Sequence, residues 1–234
     1  MRVSILPSIF HKFPQLRVGI VVGNRLEISR VNSELRRVIG DSVDKILNDS
    51  NGTKLREHPN IVAWQQAYRL FGTNPKKHKP TAESLLRSVI GGREFPNINS
   101  AVDAYLAVEL SSLLPIGGYD LSRVEGGILL RTSPGGETFC PLGSLTPEHT
   151  YEGEIVYSDS CKVLTRRWNH RDADYTKITE QTRDIILLSE ACNDLIKDED
   201  LNNTVKMIVE YERRFCGGEY TTFFLNVENP EVAT

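Results

Sequence analysis

The sequence is poor in the features that mark several large protein classes. Its 234 residues contain four cysteines, which stand far apart, with no C-x-x-C pair and no histidine at metal-ligand spacing. Neither a zinc site nor a disulfide scaffold is expected, and no cofactor is implied. The sequence also lacks an apolar run of the roughly 20 residues that cross a bilayer, and it has no signal-peptide pattern, so a cytoplasmic location is the default expectation. We interpret the cysteines as reduced, packed thiols: Cys140, Cys161, Cys192 and Cys216.

A strong excess of one charge is missing as well. The formal net charge is −3, with 39% hydrophobic and 25% charged residues, which is typical of a globular protein. Any affinity for nucleic acid must therefore come from local basic patches. One patch holds Lys76, Lys77 and Lys79, and a second holds Arg166 and Arg171. For the lysine run alone, a solvated surface is the favoured interpretation.

Several catalytic motifs are absent from the sequence. Its glycine pairs do not follow the order of a nucleotide-binding loop, and there is no G-x-S-x-G elbow. His170 has no serine or cysteine nucleophile at an identifiable spacing, so a hydrolytic triad has no support. The sequence thus gives no support to a hydrolytic triad or to a nucleotide-binding loop.

Hydrophobic periodicity predicts helices first and strands in the middle of the chain. The resulting class is α+β, with a mainly antiparallel sheet and flanking helices, in one domain over residues 1–234. An Asp49–Gly52 break follows the first helix. Helices are predicted at 33–47, 59–71, 81–90, 99–114 and 198–215. Strands are predicted at 16–29, with a possible hairpin, and at 127–131, 138–142, 153–157, 161–165, 184–191 and 220–227.

The most polar stretch of the chain runs from Arg166 to Thr182 and reads RRWNHRDADYTKITEQT. It combines cations, carboxylates, an amide, an imidazole and an indole with almost no aliphatic residues, so burial does not explain its composition. Such a segment is either a solvated loop or a binding site. Arginine, tryptophan, asparagine and histidine together suit the recognition of phosphate and bases.

Residues 96–120, PNINSAVDAYLAVELSSLLPIGGYD, resemble the signature of the tRNA-editing module in phenylalanyl-tRNA synthetase, domains three and four of its beta subunit. The resemblance continues through Arg131, Gly136-Glu137, the T-E-Q-T at 179–182 and the strand at 185–191, and so covers about residues 93–228. The N-terminal part, about 1–92, adds a strand and helices. The segment at 168–180 is similar in sequence to stand-alone editing proteins, among them canavanyl-tRNA deacylases; it reads WNHRDADYTKITE.

The departures from that module concern its substrate pocket. Gly117 stands where the family has a histidine, and Tyr105 stands at the first position of a Thr-Asn pair. Ser189, with Glu190 beside it, takes the place of the glutamate that senses a tyrosine hydroxyl. The resemblance therefore implies a free-standing editing protein whose pocket is not built for tyrosine.

The resemblance implies hydrolysis of a mischarged aminoacyl-tRNA by a positioned water, without a covalent nucleophile or a metal. Two alternatives remain open: a non-catalytic RNA-binding module and a sensor of a free amino acid. The partner would be the acceptor end of a tRNA, and the sequence leaves the oligomeric state open. The implied catalytic residues are Asn169, His170 and Asp172; the substrate-binding residues are Asp103, Tyr105, Gly117, Trp168, Ser189 and Glu190; and the tRNA-binding residues are Lys76, Lys77, Lys79, Arg166 and Arg171.

Overall fold

A computed structural model describes residues 1–48, 57–144 and 146–234. The fold is α+β, as predicted. The helices are α1 (Pro7–Lys12), α2 (Ser33–Asn48), α3 (Pro59–Leu70), α4 (Thr81–Ile90), α5 (Ser100–Ser112) and α6 (Asp198–Cys216). The strands are β1 (Arg2–Ile5), β2 (Arg17–Asn24), β3 (Ile116–Asp120), β4 (Ile128–Pro134), β5 (Thr138–Phe139), β6 (Glu148–His149), β7 (Glu152–Ser158), β8 (Val163–Arg166), β9 (Arg171–Asp172), β10 (Ile185–Ala191), β11 (Glu219–Leu225) and β12 (Glu231–Ala233).

The strands form two main sheets and one small hairpin. The larger sheet has the order β12-β1-β4-β7-β8-β9, and the smaller one has the order β11-β2-β10-β3. Among the described strands every pairing is antiparallel except that of β1 with β4. The prediction of a mainly antiparallel sheet with flanking helices is thus confirmed.

The strand β10 separates two hydrophobic cores. All seven of its residues are buried, which is typical of a strand that is covered on both faces. Ile186 and Leu188 belong to a core shared with the larger sheet and α3, which we call the sheet core. Ile185 and Leu187 face the opposite way, into a core built with α4, α5 and α6, which we call the helix core. Because successive side chains of a strand alternate, neighbouring residues of β10 enter different environments.

The predicted helices agree with the observed ones to within about two residues at each end. The short helix α1 and five of the strands, β1, β3, β6, β9 and β12, were not predicted. The possible hairpin within 16–29 is wrong, because β2 ends at Asn24 and pairs with β10 and β11 instead. Beyond it, the Leu26 N–H donates to the Arg183 carbonyl at 2.8 Å. The predicted break at Asp49–Gly52 lies outside the described residues.

The four cysteines are free, but only two of them are packed inside the protein. Cys192 and Cys216 are buried, as predicted. Cys140 and Cys161 are exposed, so the interpretation as packed thiols is wrong for them. The predicted strand at 138–142 ends at Phe139, and Cys140 therefore lies in the following loop. No helix in the described part of the chain is long and apolar enough to cross a membrane.

Candidate functional site

A small polar cavity lies where β3, β10 and the β8–β9 hairpin meet the start of α4. Its water-accessible volume is about 10 Å³, which is room for a single water molecule. Three lining residues, Thr81, Gly117 and Asp172, are only half-buried and mark the side that is nearest to solvent. The lining consists of Thr81, Ile116, Gly117, Tyr119, Tyr157, Thr165, Trp168, Asn169, Asp172, Leu188 and Glu190.

The β8–β9 hairpin brings the polar stretch to this cavity through a strained turn. Arg167 and Trp168 have φ angles of 48° and 66°, the left-handed region that side chains other than glycine rarely adopt. Such residues cost about 1–3 kcal/mol each and persist where the surrounding structure holds them. Here the Trp168 N–H donates to the Ile155 carbonyl at 2.7 Å. The turn is thereby fixed, and Asn169 follows directly at the cavity wall.

The indole of Trp168 is part of the sheet core. It is fully buried, and its ring centre lies 4.8 Å from that of Phe13 and 4.9 Å from that of Trp64. Both neighbouring rings meet the indole nearly perpendicularly, and no part of it is exposed to solvent. The predicted role of Trp168 in stacking on a substrate is wrong, and its role is to anchor the turn.

Asn169 and Glu190 belong to one buried hydrogen-bond chain. The Tyr68 hydroxyl donates to Asn169 Oδ1 at 2.8 Å, and Asn169 Nδ2 donates to Glu190 Oε2 at 3.4 Å. The Tyr157 hydroxyl donates to Glu190 Oε1 at 2.8 Å. These contacts fix the amide orientation of Asn169, because its oxygen faces a hydroxyl donor and its nitrogen faces a carboxyl acceptor. The structure therefore brings two of the predicted site residues together.

Asp172 forms a second chain on the other side of the cavity. The Thr165 hydroxyl donates to Asp172 Oδ1 at 2.5 Å and accepts from the Tyr119 hydroxyl at 2.5 Å. Burial of the carboxyl group raises the pKa of Asp172 to about 6, and the Thr165 hydrogen bond opposes this rise. A β-carbon added at Gly117 would lie 3.9 Å from the same Oδ1, so the missing side chain leaves space beside the carboxylate.

Two further carboxyl groups are raised in pKa by burial around this region. Glu190 has a pKa of about 8, first because of desolvation and then because Asp172 repels its negative charge. Glu109, at the end of α5, also has a pKa of about 8 for the same first reason, and both other carboxyls add to it. Its Oε1 accepts the Ile116 N–H at 3.3 Å. At neutral pH the cavity therefore combines a mainly ionised Asp172 with a mainly protonated Glu190, and Glu109, outside the lining, is mainly protonated as well.

His170 lies outside the cavity lining. Its Nδ1 donates to the Lys79 carbonyl at 2.7 Å, which leaves Nε2 as the acceptor in the neutral ring. Burial lowers the pKa of His170, so the neutral form is favoured. The ring centre is 5.1 Å from that of His78. His170 thus joins the hairpin to the lysine-bearing segment before α4, a position that gives no contact with a water in the cavity.

Three predicted substrate-binding residues lie on the opposite side of the smaller sheet. Tyr105 is buried in the helix core, on α5. Asp103 is 3% exposed, and its Oδ1 accepts the Ile98 N–H at 3.0 Å. Ser189 neighbours Glu190 in β10, and strand alternation turns it away from the cavity. The proposed grouping of Tyr105 with Asn169 and Glu190 is therefore wrong, because a strand separates them.

The predicted tRNA-binding residues also divide into two groups. Arg166 is 3% exposed and forms two hydrogen bonds of 2.9 Å with Glu154, so it is not free to hold a phosphate and that prediction is wrong. Arg171 is exposed, although Glu148 lies 3.4 Å from it. Lys76 and Lys77 are exposed and Lys79 is half-buried.

Sequence reasoning missed most of the hydrogen-bond partners at the cavity. Glu109 and Tyr119 lie in the segment that carries the resemblance, but neither was predicted to be a site residue. Tyr68 arrives from α3, which precedes the resembling segment, and nothing in its neighbourhood in the sequence indicates a site. Tyr157 and Thr165 lie within two predicted strands. The alternation of side chains along a strand assigns each residue to one face of the sheet, but it does not show which face borders the polar cavity.

The family model described as the B3/4 domain matches residues 63–215 of this chain. The chain belongs to the B3/4 domain family. The match extends from within α3 to near the end of α6 and contains every residue that lines the cavity. It begins about 30 residues before the predicted start near residue 93, so α3 and α4 belong to the matched B3/4 region as well.

Among solved structures, this B3/4 domain is similar to an N-terminal fragment of the phenylalanyl-tRNA synthetase beta-subunit from Pyrococcus horikoshii, with 13% sequence identity and a TM-score of 0.48. The similarity covers 93% of this chain and 49% of that one, so the chain spans about half the length of the fragment. No curated protein matches the chain.

Proposed function

We propose that this B3/4 domain is a trans-editing hydrolase that removes the amino acid from a mischarged aminoacyl-tRNA. The observation that carries the proposal is the water-sized cavity between Asn169, Asp172 and Glu190, inside the region that the family model matches. An aminoacyl ester is already reactive, so the enzyme needs to position a water and stabilise the oxyanion. The cavity residues supply the first of these functions without a covalent nucleophile.

The carboxyl pair supplies different proton states for the proposed reaction. With a pKa of about 6, Asp172 is mainly ionised at neutral pH and accepts a proton from the attacking water. With a pKa of about 8, Glu190 is mainly protonated, and with Asn169 it fixes the water by hydrogen bonds. Two acids that differ in pKa in one site are the arrangement that general acid–base chemistry requires. The water oxygen forms a bond to the ester carbon, and the bond between that carbon and the ribose oxygen breaks. The ribose oxygen then takes up the proton that Asp172 accepted from the water.

The aminoacyl group would lie at the half-buried side of the cavity, because the interior holds only one water. Thr81, Gly117 and Asp172 form that side, and Gly117 leaves the approach free of a side chain. A cationic amino-acid side chain there would be attracted by the Asp172 carboxylate. This favours a basic substrate, and canavanyl-tRNA for arginine is our candidate.

A basic groove beside the cavity fits the phosphates of the acceptor stem. It has a volume of about 290 Å³ and contains Arg69, Lys76, Lys79 and Arg87 among its lining residues. Arg87 is held by Glu83 at 2.6 Å, which leaves three cations for phosphate contacts. The chain as a whole has a net charge of −3, which repels a nucleic acid. The groove cations would attract its phosphates locally in spite of this repulsion.

Two backbone contacts connect this groove to the cavity. The Thr81 N–H donates to the Asn169 carbonyl at 3.2 Å, and the Lys79 carbonyl accepts from His170. The segment that carries the lysines therefore ends at the cavity wall. A tRNA whose stem phosphates occupy the groove would have its acceptor end close to Asp172.

The small cavity volume also supports a second candidate, an RNA-binding module of the same family without hydrolysis. Incubation with a panel of tRNAs, each charged with one amino acid, distinguishes the two. Loss of the ester from one charged species, at a rate that falls at least about tenfold in Asp172→Asn, supports the hydrolase. Salt-sensitive tRNA binding with every ester intact supports the binding module. Affinity for a free amino acid alone supports the third possibility, a sensor.

A further inference from the structure

The strand β11 forms an open edge of the smaller sheet. It pairs with β2 in a regular register over seven residues, and no other strand in the part of the chain that the structure describes pairs with its outer side. Its sequence, EYTTFFL, contains no proline or lysine, and the pairing contains no bulge. Natural proteins protect exposed edge strands with such devices, because an unprotected edge pairs with other chains.

A groove runs along this edge between β11 and α6. Its volume is about 590 Å³, and its walls include Val205, Val209 and the 44% exposed ring of Phe224. A groove with aliphatic and aromatic walls beside an unpaired strand is the usual site of strand addition, in which main-chain hydrogen bonds supply affinity.

The helix and the strand run in opposite directions along the groove. Val205 and Phe224 both lie against the position of Gly19, near the start of α6 and the end of β11. At the other end, the Arg213 guanidinium lies 5.7 Å from the ring centre of Tyr220. Thr222, in the middle of the strand, is therefore beside the middle of the α6 segment that runs from Val205 to Arg213.

We propose that β11 pairs with β11 of a second copy of this chain, in an antiparallel arrangement about a two-fold axis at Thr222. Such an axis makes the interface self-complementary, since each contact occurs twice. It places Tyr220 opposite Phe224 of the second copy, and aromatic cross-strand pairs stabilise a sheet. The two four-stranded sheets then form one continuous sheet, and β11 is no longer an open edge in either copy.

Charges on α6 support a second copy as the occupant. Lys206 and Glu210 are exposed, line the same groove and stand on either side of the helix centre that lies beside Thr222. A two-fold axis between them brings Lys206 of each copy towards Glu210 of the other. Opposite charges that face each other across an interface favour one partner and one register. An acidic or a basic peptide would satisfy only one member of this pair.

Sedimentation velocity of the full chain over a range of concentrations tests the proposal. We expect a concentration-dependent dimer. Lys206→Glu or Glu210→Lys alone should weaken it about tenfold, since each reversal turns two attractive pairs into two repulsive ones. The double variant Lys206→Glu/Glu210→Lys should recover dimer formation. Lys12→Glu, a charge reversal at an exposed residue of α1, is the control and should leave the dimer unchanged.

Three outcomes would overturn the proposal. The first is a monomer at every concentration, and the second is a dimer that both single variants leave unaffected. The third is a double variant that remains as weak as the single ones. Circular dichroism spectra of the variants check that each is folded, so a loss of the dimer through unfolding is recognised. None of these measurements depends on tRNA or on hydrolysis.

Discussion

Ionisation of Glu190 should lower the stability of this protein as the pH rises. The side chain is 2% exposed, and its pKa is raised from 4.5 to about 8 by burial and then by Asp172. Between these two values the folded protein binds a proton that the unfolded chain releases. The contribution of Glu190 to the free energy of unfolding therefore decreases from about pH 4.5 to pH 8, at most by about 5 kcal/mol. Because water entering the cavity lowers the cost of the charged form, we expect about 2–3 kcal/mol.

The substitution Glu190→Gln removes this titration while it keeps the size of the side chain. At pH 5 the variant should be about 1 kcal/mol less stable than the natural protein, since its NH₂ group replaces an acceptor for Tyr157 or Asn169. At pH 8 it should be the more stable of the two, because an amide does not ionise. Urea denaturation at half-unit steps of pH, followed by circular dichroism, measures both differences.

Glu228→Gln provides the matched control, because Glu228 is exposed and the same atoms change. Its unfolding free energy should run parallel to that of the natural protein at every pH. If Glu190→Gln is parallel too, Glu190 does not titrate in the folded state as described, and the assignment of a protonated Glu190 to the proposed mechanism is refuted. A crossing of the two curves between pH 5 and pH 8 supports it.

Three further substitutions test the geometry of the cavity and the hairpin. Gly117→Leu should leave the protein folded but reduce ester hydrolysis at least about tenfold, because its side chain fills the space beside Asp172; unchanged rates on a sensitive charged tRNA would contradict this. Arg167→Gly should raise the free energy of unfolding by about 1 kcal/mol in urea titration, since glycine adopts a φ of 48° without strain; a loss would mean that the arginine side chain holds the turn. Arg166→Met should lower the melting temperature markedly, as it leaves Glu154 buried and unpaired at a cost of about 3–5 kcal/mol; a small change would show that Glu154 is relieved by water.

The elements of this fold follow from the sequence where one pattern dominates locally. The strand β10 begins with four consecutive apolar residues, and α6 ends at a glycine pair, so both were predicted closely. The strand β3 reads IGGYD, and its two glycines conceal it because glycine has low strand propensity. Side-chain period alone could not assign β3, since only its pairing with β10 defines it.

The candidate site was harder to predict because its residues meet through pairing between distant segments. Glu190 and Asn169 were both assigned to the site through the resemblance, and the structure joins them by a hydrogen bond. Tyr105 was placed with them, yet α5 packs on the other face of the sheet, and ten of its residues are buried, so its sequence gives no polar face to orient it. Arg166 looked like a phosphate ligand because its partner Glu154 stands on a different strand.

The separation of two cores by β10 offers a way to change the cavity without altering its polar lining. Leu187 touches the helix core, while its neighbour Leu188 and Glu190 border the cavity. A smaller residue at Leu187 would let the strand move towards α5, and the space gained would appear on the opposite face. An engineer who wants to enlarge the cavity could therefore screen substitutions at Leu187, which does not line it.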